Sequence, residues 1–319
     1  MREKLTIEIP KEKLNINAAR ALTNTLSKIG IEYFNSKNFK EAKKHFNKCL
    51  EIAKTIDNPP LIAQSYYNLG ILNQKIRNFD DALKNYDEAI KIEPNNAGAH
   101  NNLGVLLQDL KRYDEAEKEY RMAIKINPEY AEAHYNLGNL LADLKRYEEA
   151  EKEYWEAIRI NPEYGWAHDN LGLLLKNLKR YGEAEKEHRA AIKIDSEHAN
   201  AHNNLGVLLK NLKRYEEAEK EYREVIRINP EDADAHYNLG NLLKNLKRYE
   251  EAEKEYQEAI RINPELAEAH GNLGLLLSET GKIKEAKQEV KIALKLFKKQ
   301  GKKADAKKSE KLLNQLDKK

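Results

Sequence analysis

A glycine behind leucine recurs at Gly70, Gly104, Gly138, Gly172, Gly206, Gly240 and Gly274, always 34 residues apart. A fixed period in this range marks a chain of stacked supersecondary units. Each unit cannot bury its apolar face alone and leans on its neighbours. Twelve residues after each glycine stands an alanine, from Ala82 to Ala286, and Pro94, Pro128, Pro162, Pro230 and Pro264 close most units. Gly30 precedes Gly70 by 40 residues, so the first connection carries six extra residues around TIDNPP.

With the glycine numbered 8 in each unit, an advance of 100° per residue predicts two amphipathic helices per unit. In the fourth unit Ala133, His134, Leu137, Gly138, Leu140, Leu141 and Leu144 gather on one side of the first helix. Positions 2, 5, 6, 9, 12 and 13 fall on the other side and are mixed polar. The second helix, Tyr147 to Ile160, is expected to bury Tyr147, Ala150, Tyr154, Ala157 and Ile158. Asn161-Pro162 stops it, because a residue before proline is pushed out of the α region.

This unit (L-G, then an aromatic such as Tyr113 or Tyr147, then A-x-x-x-Y, a small residue and Pro) resembles the tetratricopeptide repeat. The resemblance covers eight units. It implies an all-α fold, a right-handed α-solenoid superhelix of antiparallel helix pairs. Three segments follow: an N-terminal leader over 1–22, the array over 23–300, and a Lys-rich capping helix and tail over 301–319. Within that last segment Leu312, Leu313 and Leu316 share one side of a helix. Lys145 and Arg146 replace the Gly-Asp common in the family, a change read as tolerable because cations suit a helix C-terminus.

Composition agrees with thin layers rather than one large core. Charged residues make up 34% of the chain and the mean hydropathy is −0.85. The single cysteine, Cys49, precludes an intrachain disulfide and fits a reducing compartment. No apolar run approaches a membrane span and no signal peptide is evident, so a cytoplasmic location is expected.

Units three to five resemble units six to eight. Residues 133–162 and 235–264 differ only at Ala142/Lys244, Asp143/Asn245 and Trp155/Gln257. The superperiod is 102 residues, most simply a segmental duplication.

The family resemblance implies that stacked first helices line a concave groove that holds partner chains. That places positions 2, 5, 6, 9, 12 and 13 in the groove. Position 6 is asparagine in seven consecutive units: Asn68, Asn102, Asn136, Asn170, Asn204, Asn238 and Asn272. An amide offers a donor and an acceptor, which matches a peptide main chain. Rungs about 10 Å apart would span roughly three residues of extended peptide. Selectivity is expected from Tyr67, Tyr135 and Tyr237 at position 5, Trp166 at position 2, and Asn139 and Asn241 at position 9. Lys176, Lys210 and Lys244 at position 12 form a row suited to an acidic segment, partly offset by Glu132, Asp234 and Glu268. A dicarboxylate clamp is not expected, since positions 2 and 5 hold no Lys or Arg and position 6 is asparagine in seven consecutive units.

Six histidines, His100, His134, His168, His202, His236 and His270, fall on the packed face, one per unit. Rungs about 10 Å apart cannot share an ion whose bonds to nitrogen are about 2.0–2.1 Å. No phosphate loop, serine elbow or Cys/His cluster is present, so neither catalysis nor a cofactor is expected. The expected partner is a protein or extended peptide, with no membrane. Residues 282–319 hold 14 Lys against 5 acids, a net +9, which keeps RNA as the alternative ligand. Only Phe297 offers stacking there, and about −6 remains on the rest of the chain, both of which argue against nucleic acid. Self-association of the regular array is the other alternative.

Overall fold

The computed structural model describes residues 16–317. They form seventeen α-helices joined by short turns, with no strand among the described residues. Sixteen helices pair in chain order into eight repeats and one more follows. The chain divides into two compact units, residues 1–162 and 163–319.

In the N-terminal unit the first helices of the repeats are α1 (Ile16–Asn35), α3 (Pro59–Lys75), α5 (Ala97–Asp109) and α7 (Ala131–Asp143). Their partners are α2 (Phe39–Thr55), α4 (Phe79–Ile92), α6 (Tyr113–Ile126) and α8 (Tyr147–Ile160). In the C-terminal unit the first helices are α9 (Gly165–Asn177), α11 (Ala199–Asn211), α13 (Ala233–Asn245) and α15 (Ala267–Glu279). They pair with α10 (Tyr181–Ile194), α12 (Tyr215–Ile228), α14 (Tyr249–Ile262) and α16 (Ile283–Lys299), before α17 (Lys303–Leu316) closes the series. Successive first helices touch within each unit and so lie side by side.

The six residues added around TIDNPP do not make a loop. They lengthen α2 to 17 residues against 14 in α4, and α3 to 17 against 13 in α5. Asn58 caps α3 by accepting a hydrogen bond from the Leu61 N–H, and Pro59 supplies the missing-donor first position. α1 begins at Ile16, so the last residues of the 1–22 stretch are helical, while 1–15 lie outside the described residues.

The core follows the periodicity. Ala133, His134, Leu137, Gly138, Leu140 and Leu141 are buried on α7, as are Ala150, Tyr154, Ala157 and Ile158 on α8. Tyr147 is only half-buried, because it opens its helix at the unit's edge. Each fully buried leucine contributes about 1.5–3 kcal/mol. The recurring glycine is steric: a Cβ at Gly138 would stand 2.8 Å from the Tyr154 ring. At the C-terminal end, buried Leu316 and half-buried Leu312 and Leu313 cover Leu273, Leu276, Leu277 and Val290.

The position-4 histidines hold each pair to the preceding turn. His100 Nδ1 lies 2.6 Å from Glu119 Oε2, and its Nε2 lies 3.0 Å from the Pro94 carbonyl. His134, His202, His236 and His270 repeat the pattern with Glu153, Glu221, Glu255 and Glu289. A carbonyl can only accept, so Nε2 must donate. An ionised carboxylate then needs a proton on Nδ1 as well. Burial opposes a charge on His100, His134 and His202. The bonds to the carboxylate and the carbonyl outweigh it and raise their pKa above that of an ordinary histidine.

Replacing Gly-Asp by Lys-Arg is less benign than the sequence suggested. Lys111, Lys145, Lys179, Lys213 and Lys247 all adopt φ between 60° and 62°, the left-handed region that costs an L-residue roughly 1–2 kcal/mol. They occupy the turn residue of a helix stop in which, for example, Lys145 N–H donates to the Ala142 carbonyl and Arg146 N–H to the Leu141 carbonyl. The following arginine ties the same turn to the preceding repeat. Arg146 bonds Glu149 through two nitrogens at 2.7 Å and reaches Glu117 of the preceding repeat at 2.6 Å. Arg214 and Arg248 do the same with Glu217 and Glu185, and with Glu251 and Glu219.

Candidate interaction surface

The candidate partner-contact residues all stand on first helices, and within each unit neighbouring rungs are stitched together. Asn136 Nδ2 donates to Asn101 Oδ1 at 3.0 Å, and Asn238 donates to Asn203 at 3.1 Å. Asn102 and Asn272 donate to the hydroxyls of Tyr67 and Tyr237, at 3.1 and 3.2 Å. Asn204 donates to both oxygens of Asp169, and Asn68 donates to Ser27. Position 6 of one repeat therefore clasps position 5 of the repeat before it. In Asn136 and Asn238 the bond takes one amide hydrogen, and the side chain has a second hydrogen and a carbonyl oxygen. Asn272, by contrast, also donates to Asn241, and the oxygens of Asn68 and Asn102 accept from Gln64 and Asn101.

Position 5 consequently departs from the expected open face. Asn101 is 0% and Asp169 2% exposed, because each sits between adjacent first helices and meets the next rung's amide. Asn139 and Asn241 face inward too, accepting the Tyr154 and Tyr256 hydroxyls at 2.8 and 2.9 Å. Tyr67, Tyr135 and Tyr237 are half-buried, with rings about 6 Å from Tyr86, Tyr154 and Tyr256. Trp166 differs from all of these. It is 49% exposed, and its ring leans on His198 with centroids 4.3 Å apart.

Two hollows open on this face. One, of about 730 Å³, lies in the N-terminal unit among Ile71, Gln74, Asn102, Val105, Asp109 and Glu132. The other, of about 290 Å³, lies in the C-terminal unit among Tyr237, Glu268, Asn272, Leu275, Phe297 and Leu312.

The lysine row is not uniform. Lys244 pairs with Glu279 at 3.2 Å. Lys176 and Lys210 are half-buried and make no ion pair among the described residues. Burial lowers both pKa values, opposed at Lys176 by the charge of Asp169. In the basic C-terminal stretch Lys282, Lys287, Lys298, Lys299, Lys302 and Lys308 each face a carboxylate, so much of that charge is already balanced locally.

Profiles described as tetratricopeptide repeat match residues 21–94, 67–131, 131–164, 167–198, 189–220, 233–266 and 255–288, and one described as TPR repeat matches 211–247. The chain belongs to the tetratricopeptide repeat family. No curated protein matches it. Among solved structures it is similar to PilF of Pseudomonas aeruginosa, with 24% identity and a TM-score of 0.59 over 65% of this chain and 94% of that one. It is also similar to YrrB, a TPR protein with an unusual peptide-binding site, with 26% identity and a TM-score of 0.48 over 58% and 95% of the two chains. MamA matches with 22% identity and a TM-score of 0.47 over 54% and 94%. As a tetratricopeptide repeat protein the chain is a protein–protein interaction scaffold. No described helix is long and apolar enough to cross a membrane.

His188 stands where other repeats of this tetratricopeptide array have the second-helix tyrosine, and the sequence alone did not pair it with Asp169. His188 is fully buried and its Nδ1 lies 2.7 Å from Asp169 Oδ1, the same carboxylate that accepts from Asn204. The signal was present: in the fifth unit the second-helix tyrosine becomes histidine where position 5 becomes aspartate. Two departures in one repeat, in partner positions, point to a pair.

Proposed function

We propose that the protein captures an extended segment of a partner along its first-helix face, with Trp166 as the main anchor. The observation that carries this reading is the exposure of Trp166, a large ring held in place by His198 on a face whose amides are already oriented by their neighbours. Preorganised aromatic anchors supply much of the affinity at interfaces. In the C-terminal unit, which holds Trp166, Asn238 would meet a peptide backbone with the hydrogen and oxygen that its inter-repeat bond leaves over. Tyr237 would line the path there, and position 12 would tune it; Asn136, Tyr67 and Tyr135 offer the same kinds of group on the N-terminal unit.

Because the asparagines also join rungs, alanine at those positions mixes loss of contact with loss of stability. Trp166→Ala is the cleaner probe. On an array of peptides, the native chain should bind a defined subset. The variant, with unchanged circular dichroism, should bind that subset at least tenfold more weakly, as expected for an anchor worth about 2 kcal/mol. Equal binding by both would move the site off this face.

A further inference from the structure

Among the described residues only three buried side-chain nitrogen or oxygen atoms lack a hydrogen-bond partner: His188 Nε2, His198 Nε2 and Tyr222 Oη. All three lie in the fifth and sixth repeats or at the turn joining them. Buried unpaired polar groups are rare and costly, and each calls for a reason. For Tyr222 the reason can be read by comparison with the other repeats. Tyr86 and Tyr120 donate to Gln74 and Gln108 at position 12, at 2.9 and 3.0 Å. Tyr154 and Tyr256 donate to asparagine at position 9. In the sixth repeat those two positions are Val207 and Lys210, and neither receives the hydroxyl hydrogen.

The fifth repeat is altered the same way, with Leu173 and Lys176 at positions 9 and 12. Two consecutive rungs of touching helices, α9 and α11, therefore replace acceptors by cations on four-carbon stems. The result is a local surplus of donors: two ammonium groups and one phenol. Burial pushes the Tyr222 pKa far up, so the hydroxyl remains a donor. The next lysine in the row, Lys244, has its carboxylate in Glu279, which shows what kind of group satisfies this position.

We propose that Lys176, Lys210 and the Tyr222 hydroxyl form a carboxylate-binding subsite, occupied by an aspartate or glutamate side chain of the bound partner segment. This rests on the reading of the first-helix face as a peptide groove. An incoming carboxylate accepts from both lysines and from the phenol. It supplies the acceptor that the other repeats build in, and gives two half-buried lysines a counter-charge. Charge-assisted bonds of this kind are short and about twice as strong as neutral ones.

The test compares fluorescein-labelled decamers of glutamate and glutamine by anisotropy on the full chain. The native protein should bind the glutamate decamer at least about tenfold more tightly. Lys176→Gln/Lys210→Gln should abolish that preference. The variant should fold, because glutamine at position 12 is what Tyr86 and Tyr120 already use. Tyr222→Phe should weaken glutamate binding about fivefold. Lys307→Gln/Lys311→Gln removes the same charge from α17 and should leave the preference intact. No preference in the native chain, a preference that survives in the position-12 variant, or equal loss in the α17 variant would each overturn the subsite. Array peptides that still depend on Trp166 while the glutamate preference is absent would leave the groove reading standing and sink this one. Lysine-dependent glutamate binding with no Trp166-dependent peptide would do the reverse.

Discussion

At the residue scale the costliest feature is the lysine placed where the chain turns left-handed between paired helices. Lys213 has φ 62°, a value that glycine adopts freely and lysine does not. Lys213→Gly relieves strain in the folded state but loosens the unfolded chain, so the gain should be about 0.5–1 kcal/mol, read as a higher urea midpoint. A loss would mean that the lysine stem packs usefully over the turn. The sequence showed that a cation follows each first helix and gave no sign of its backbone angle, because φ is set by where the next helix must start. Gly281 and Gly301, at φ 83° and 71°, show the ordinary solution at the C-terminal end.

The paired helix is the next scale, and here pH is the lever. His100, His134 and His202 have raised pKa values in the folded state, from bonds to carboxylate and carbonyl that outweigh burial. A raised folded pKa gives stability that is fully present below the unfolded value, near 6.5, and lost as pH climbs through the folded value. Carboxylates act in the opposite sense. Burial works against the charge on Glu117, Glu185 and Glu219, yet arginines at the repeat junctions hold their pKa below the usual 4.5. Their contribution is present above 4.5 and fades as pH falls through the folded value. Urea midpoints should therefore peak at mildly acidic pH, between about 5 and 6.5, and decline towards pH 9. A flat profile from 6.5 to 9 would show that the histidines do not hold the extra proton.

The same scale shows what periodicity can and cannot reveal. Burial of the leucines, of Tyr154 and of the histidines followed from a 100° advance per residue, because packing against neighbours obeys helical geometry. The fate of position 5 did not follow. Asn101 and Asp169 lie on the polar arc of an isolated helix, and the next first helix covers them. Only the rung-to-rung bond, Asn136 to Asn101 or Asn204 to Asp169, shows that an amide row is also a set of clasps.

For the whole molecule, stability is a sum of similar layers, so the ends matter more than their size suggests. α17 closes the last layer, and Leu316 is 1% exposed against Leu273 and Leu276. Leu316→Ala should cost about 2–4 kcal/mol and lower the melting temperature measured by calorimetry. An unchanged melting temperature would make α17 an appendage. The array, its period and its closing helix were legible from glycine spacing and three leucines. The binding face was legible only as a set of positions, because which side chains already have partners depends on the neighbouring repeat.

Trp166 gives the most direct measurement of whether that face holds a partner. The chain has two tryptophans, and Trp155→Phe leaves Trp166 as its only indole. Peptides selected on the array would be titrated into this variant while Trp166 emission and the anisotropy of the labelled peptide are followed together. Capture on the first-helix face predicts a saturable blue shift of Trp166 with the same midpoint as the anisotropy change. Saturable anisotropy with unmoved Trp166 emission would contradict it.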